Sequence, residues 1–152
     1  LEQRPKVWHQ TGKNQLEATR ANYDKAHIKQ VEVTDFIEDM AKAYAWADIV
    51  ICRSGALTVA ELSAVGVASI LIPFPFAVDD HQTFNAKYLS DQEGAFLLPQ
   101  SSLSAQALQS LLLEFINHPA KRFAVAKACR QLAKPHATTE VAQLCLEVSC
   151  GS

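Results

Sequence analysis

The sequence predicts an α/β fold, a Rossmann-like parallel sheet with helices on both faces. Short apolar, β-branched runs, of which 49–52 and 67–72 are the clearest, read as strands covered on both sides. Segments with helical spacing alternate with these runs, and such alternation favours parallel strands joined by right-handed crossovers. With 152 residues, 49% of them hydrophobic, the chain can bury one sizeable core, so one domain over 1–152 is expected.

Taken in order, Lys6 to Gln10 reads as a strand, and Thr11 Gly12 Lys13 turns into a polar helix running to about Ala26. Ile28 to Val33 alternates as a second strand does. Asp35 and Glu38 have capping-box spacing, which places the next helix start near Phe36 and its end near Ala47. Strand 49–52 leads into a helix from about Leu57 to Val65, and strand 67–72 is stopped by Pro73 and Pro75. Asp79 or Asp80 is expected to cap a helix carrying Gln82, Phe84, Ala86, Tyr88 and Leu89. Ala95 to Leu98 gives a fifth strand, and two or three helices follow from Ser104 with a break at Pro135. The first strand and glycine loop usual in a nucleotide-binding sheet are not found, so the chain is expected to begin inside a domain.

Charge and cysteine content narrow the function. The 14 basic and 16 acidic residues are evenly mixed, which leaves no electrostatic footprint for nucleic acid or an anionic membrane surface. Cys52, Cys129, Cys145 and Cys150 lack the paired spacing of a zinc site and are expected to be reduced thiols. The opening Leu1 to Pro5 has no apolar segment of the kind a signal peptide needs, and no run approaches the roughly 20 residues of a membrane span.

The strand-to-helix junction Arg53 to Glu61 is the leading candidate site, because ligands of open α/β sheets bind beyond the carboxyl ends of the strands. Ser54 and Gly55 allow close approach to the backbone, and the open N–H groups of a helix start favour anions or hydroxyl oxygens. Glu61 offers acceptors for two vicinal hydroxyls; alternatively, Thr58 and Glu61 form a capping box for their own helix. At the end of the next strand, Gln82, and Asn85 one turn later, can bond a sugar hydroxyl, with His81 beside them. The competing account has Asp79 and Asp80 as caps and His81 as a solvated side chain. Ile37 and Met40, near the start of a helix, either support and read a planar base or belong to a core-facing stripe with Ala41 and Tyr44. His9 and Lys13 are placed to line a cleft. No metal is expected, since Asp79, Asp80 and His81 do not share one helix face. Ser54 lacks the surroundings of a hydrolase nucleophile, and Cys52 reads as core.

The strings His9 to Lys13, Val33 to Leu62 and Pro73 to Ala86 resemble, in order and spacing, the C-terminal domain of the MurG family of bacterial peptidoglycan glycosyltransferases. The resemblance covers roughly the first 100 residues. It implies a GT-B enzyme of two Rossmann-like domains that transfers N-acetylglucosamine from UDP-GlcNAc to lipid I, giving lipid II and UDP. This chain would be the donor-binding half, without the first strand and its glycine-rich loop, and without the N-terminal acceptor domain. Ile37 would contact uracil through its backbone, Ala56, Leu57, Thr58, Val59, Ala60 and Glu61 would line the donor site with Glu61 on the ribose, and Gln82 would meet the GlcNAc hydroxyls. Met40, Ser54, Gly55, His81 and Asn85 are further candidates. Phe76 stands where a histidine is common in the family.

The resemblance further implies no metal or other cofactor and no catalytic residue within this chain. Lipid I and the cytoplasmic face of the bacterial inner membrane would be reached through the missing domain, and this chain alone would be soluble and inactive. A donor domain of another UDP-sugar transferase, and a non-catalytic nucleotide-sugar-binding module, remain the alternatives.

Overall fold

The computed structural model describes residues 5–150, apart from the side chains of Val78 and Cys150. The opening Leu1 to Arg4, on which the signal-peptide expectation chiefly rests, lies outside the described residues. The chain divides into two compact units, Leu1–Ala43 and Tyr44–Ser152.

The first unit is a parallel β-α-β motif. Strand β1 (Val7–Gln10) pairs with β2 (Val31–Thr34), Val7 opposite Val31 and Gln10 opposite Thr34, and helix α1 (Leu16–Lys25) makes the crossover. Gly12, at φ 76°, takes a positive-φ conformation that starts the turn into a short 3-10 segment before α1. Strand β2 begins three residues later than the alternation predicts, because the end of α1 is followed by a turn in which His27 has φ 53°. Helix α2 (Met40–Trp46) likewise begins later than Phe36. The expected capping box does not form: Asp35 accepts from Phe36 N–H, and Asp39 instead takes the N–H of Lys42 at 2.9 Å, the bond an N-cap residue makes.

The second unit holds the core. Strands β3 (Ile49–Cys52), β4 (Ala68–Leu71) and β5 (Phe96–Leu97) pair in parallel in that order. Among the described residues the strands thus form a parallel pair and a parallel triple. All four residues of the central strand β4 are buried, as a strand covered on both faces must be. Ala68, Ile70 and Ile72 point to one side, where they pack with Leu98, Phe115 of α5 (Ala105–Asn117) and Val125 of α6 (Pro119–Gln131). The Phe96 and Phe115 rings stack at 4.4 Å between centroids. Ser104 starts α5 by accepting from Ala107 N–H, and Pro119 occupies the first position of α6, where its missing N–H costs nothing. Helices α3 (Ala56–Val65) and α4 (His81–Ser90) bury Leu62, Ala86 and Leu89. The break at Pro135 falls between α6 and the last helix, α7 (Ala137–Cys150).

Two glycines allow close approaches. Gly66 ends α3 in the left-handed conformation, φ 74°, and a Cβ there would lie 2.8 Å from Arg130 Cβ of α6. A Cβ on Gly94 would come within 3.0 Å of the Cys129 backbone. No helix among the described residues is long and apolar enough to cross a membrane.

Phe115→Ala should lower unfolding stability by about 3–5 kcal/mol, because the fully buried ring leaves a cavity, and urea denaturation measures the loss. Gly66→Ala should cost about 2 kcal/mol by the same measurement, from the left-handed backbone alone before any clash.

Candidate functional site

The carboxyl ends of β3 and β4 each release a loop that enters a helix, and the two loops are tied together by side chains. Ser54, with no exposed surface, donates its hydroxyl to the Gln82 carbonyl at 2.7 Å. Asn85 Nδ2 returns a bond to the Ser54 carbonyl at 3.0 Å. Gln82 Oε1 accepts from Phe74 N–H at 2.9 Å, which leaves its amide nitrogen as the group to offer a ligand. Arg53 Nη1 donates to the Ile72 and Pro73 carbonyls, and its guanidinium stacks over the Phe74 ring. Ser54, Gln82 and Asn85 are thus brought together, and each has a structural bond.

Helix α3 opens this site. Its N-cap is Gly55 in an extended conformation, and no side chain caps the helix, so the first-turn N–H groups of Ala56, Leu57 and Thr58 face outward without an intrahelical partner. The first backbone bond runs from Val59 N–H to the Gly55 carbonyl. Ala56, Leu57, Ala60 and Glu61 are exposed, Leu57 at 81%, and Thr58 is half-buried. Val59 points its side chain into the core, so it can border a ligand only through its backbone. The Thr58–Glu61 capping box is overturned: Thr58 is the third residue of α3 and Glu61 the sixth. Glu61 Oε2 instead accepts the hydroxyl of Tyr44 at 2.9 Å. Burial, and then the bond to Glu61 and its charge, push the Tyr44 phenol well above its ordinary pKa.

Before α4 the expected caps do not act as caps. Asp79 and Asp80 have φ 50° and 53°, and the Asp80 carboxylate takes the Thr83 hydroxyl at 2.6 Å rather than a helix N–H. His81 is exposed at the first position of α4. Phe76, 83% exposed, meets Phe74 edge to face at 5.7 Å. Cys52 is half-buried at the end of β3.

In the first unit, Ile37 and Met40 are half-buried, Ile37 in the loop after β2 and Met40 opening α2. Ile37 N–H is bound to Gln10 Oε1 at 2.9 Å, a partner that the sequence did not signal. His9 Nδ1 lies 3.0 Å from the Tyr23 hydroxyl, and Lys13 is exposed in the 3-10 segment.

No group of three or more His, Cys, Asp or Glu among the described residues is placed to hold a metal. A pocket of about 350 Å³ opens at the amino ends of β3 and β4, lined by Asp48, Val65, Gly66, Ala68, Arg122 and Phe123. It lies at the end opposite to the one where such sheets take ligands, and Arg122 and Asp48 pair on its wall at 3.4 Å.

Parallel strands with helical crossovers, and an uncapped helix start beyond a strand end, define a Rossmann-like ligand-binding domain. The chain belongs to glycosyltransferase family 28: residues 1–141 match its C-terminal domain. A relative from Stutzerimonas stutzeri strain A1501, named UDP-N-acetylglucosamine--N-acetylmuramyl-(pentapeptide) pyrophosphoryl-undecaprenol N-acetylglucosamine transferase, is 51% identical over 150 residues, 99% of this chain and 42% of that protein. A relative of the same name from Dechloromonas aromatica is 52% identical over 145 residues, 95% of this chain and 40% of its own length. The crystal structure of Acinetobacter baumannii MurG superposes with a TM-score of 0.87 at 45% identity, covering 95% of this chain and 42% of that one. Spinosyn forosaminyltransferase SpnP, at 14% identity and a TM-score of 0.56, shares the fold. The chain thus spans about two fifths of the length of these curated relatives.

Ser54→Ala should lower stability by about 1–3 kcal/mol, read by urea denaturation, because it leaves the Gln82 carbonyl without its partner. The thiols give a separate test. Burial pushes Cys52 from 9.0 up to about 12 and Cys129 to about 11. Both folded values are raised, so this contribution to stability is intact below pH 9 and is lost as pH rises toward 11–12. At pH 8 iodoacetamide should modify exposed Cys145 and spare Cys52 and Cys129 until denaturant is added, as mass spectrometry of the labelled peptides will show.

Proposed function

We propose that this chain is the donor-binding part of a hexosyltransferase that moves N-acetylglucosamine from UDP-GlcNAc to a lipid-linked N-acetylmuramyl acceptor, lipid I, in peptidoglycan synthesis. The observation that carries the proposal is the α3 start: open N–H groups at Ala56, Leu57 and Thr58, followed by an exposed carboxylate, Glu61, that does not cap its own helix. An open helix start suits a diphosphate, both through its unpaired donors and through the positive end of the helix dipole. A carboxylate beyond it suits the vicinal hydroxyls of ribose. The sugar assignment rests on relatives about half identical in sequence across nearly the whole chain, whose names specify N-acetylglucosamine transfer to a pyrophosphoryl-undecaprenol acceptor.

Each group then has a part. Ala56 to Glu61 form the wall on the diphosphate and ribose, with Gly55 permitting close approach. The Gln82 amide nitrogen meets a GlcNAc hydroxyl, while Asn85, Ser54 and the Gln82 carbonyl hold the two loops in register. Ile37 reads uracil through its backbone, with Met40 as apolar support. Transfer needs no metal or other cofactor, because backbone donors at helix starts take the charge that grows on the leaving UDP.

The rest of the protein supplies what this chain lacks. In this family a first strand with its glycine-rich loop and an acceptor domain with its general base complete the enzyme, and the remainder of the full-length protein would supply them. A polyprenyl acceptor supports a peripheral position for the whole protein, on the cytoplasmic face of the inner membrane.

Calorimetric titration of the full-length protein should show UDP-GlcNAc binding more tightly than UDP-glucose, and equal affinity would reject the GlcNAc assignment. Glu61→Gln should weaken UDP binding about tenfold with little loss of stability, since an exposed carboxylate that makes charge-assisted bonds is replaced by a neutral amide. The isolated chain should show no turnover.

A further inference from the structure

Glu61 stands out in the second unit because its carboxylate is exposed yet anchored. The Tyr44 ring is buried, 7% exposed, at the end of α2, and its hydroxyl donates to Glu61 Oε2 at 2.9 Å across 17 residues of chain. Glu61 takes part in no ion pair among the described residues, and its Oε1 carries no hydrogen bond there. An exposed glutamate ordinarily samples several rotamers, and fixing it on a ligand costs side-chain entropy. A partner held rigidly in the core removes much of that cost before any ligand arrives.

We propose that Tyr44 is a positioning residue for the ribose site: it fixes the Glu61 carboxylate so that Oε1, and the remaining lone pair of Oε2, are presented to the two ribose hydroxyls. The inference rests on the assignment of Glu61 to ribose made above. Tyrosine suits the task better than a cation. An arginine or lysine at this place would compete with the ligand for the carboxylate, whereas a phenol donates one hydrogen bond and is then exhausted. Its raised pKa keeps that proton on the phenol oxygen throughout the physiological range, so the carboxylate always has a donor beside it. Phenylalanine keeps the shape of the buried ring, so Tyr44→Phe removes the hydroxyl alone and leaves Glu61 free in solvent.

The test uses the full-length protein and compares the affinity of UDP with those of 2′-deoxy-UDP and 3′-deoxy-UDP, by calorimetry or competition. In the wild type the deoxy analogues should bind more weakly, and Glu61→Ala should erase the difference. Tyr44→Phe should reduce the preference for UDP about three- to tenfold, the worth of one hydrogen bond, and raise the KM for UDP-GlcNAc by a similar factor with the loss falling on KM rather than kcat. Its thermal midpoint should stay close to that of the wild type, and the weaker deoxy analogues should bind both proteins alike. If Glu61→Ala loses the ribose preference while Tyr44→Phe keeps all of it, the positioning role is overturned and the ribose assignment stands. If Glu61→Ala keeps the preference, the ribose assignment falls and the positioning role falls with it. If Tyr44→Phe weakens UDP and both deoxy analogues equally, the effect is structural and the proposal is rejected.

Discussion

The candidate site depends on one buried hydroxyl. Ser54 sits where β3 ends, and it has hydrogen-bond partners in both directions: its side chain donates to Gln82 and its carbonyl accepts from Asn85. These bonds tie the turn into α3 to the loop into α4. Gln82 extends the link to Phe74, and Arg53 extends it to the last carbonyls after β4. Each bond is worth about 1 kcal/mol net, but leaving any one unmade in a buried place costs more, so the set is held or lost together. The uncapped start of α3 is therefore presented by a rigid frame although it stands on loops.

That frame rests on β4, and β4 was the element most legible in the sequence. A run such as Ala68 Ser69 Ile70 Leu71 has no polar face to place in water, and the structure buries all four residues. Strand β3 and the helix after it were equally plain, because Gly55 and Gly66 bracket α3 with the conformations a helix start and a helix end require. Caps were less legible. Asp35 with Glu38 offered a helix start by spacing, but Asp39 makes the bond, and the helix begins at Met40. Asp79 and Asp80 looked like caps by type, yet their left-handed backbone turns the Asp80 carboxylate toward Thr83. Short polar side chains compete for several local donors, and spacing alone does not decide among them.

Strand pairing was less legible for a different reason. Five strands of the right kind are present, but pairing is a long-range property, and a sequence pattern does not reveal a pair and a triple. The partners of the candidate residues were hidden in the same way. Tyr44 read as part of a core stripe, which is true of its ring, while its hydroxyl reaches Glu61. Ser54 and Asn85 are 31 residues apart, and Gln10 and Ile37 are 27 apart. Residue types marked the segments that matter; only the folded chain showed which polar atoms were already engaged.

Gln10 carries a consequence of its own. A carboxamide shows a carbonyl acceptor beside an N–H donor, the same alternation that lies along the edge of a pyrimidine, and its oxygen already holds the Ile37 N–H. A base carbonyl arriving there would trade places with a chemically similar group, and the net gain from that one contact would be small. The price of a mismatch is not small: a base that turned a donor toward Ile37 would evict Gln10 and leave two donors facing each other. A placeholder of this kind separates selectivity from affinity. If Ile37 reads a base as proposed, the loop after β2 would refuse the wrong one without holding the right one so tightly that the spent nucleotide could not leave.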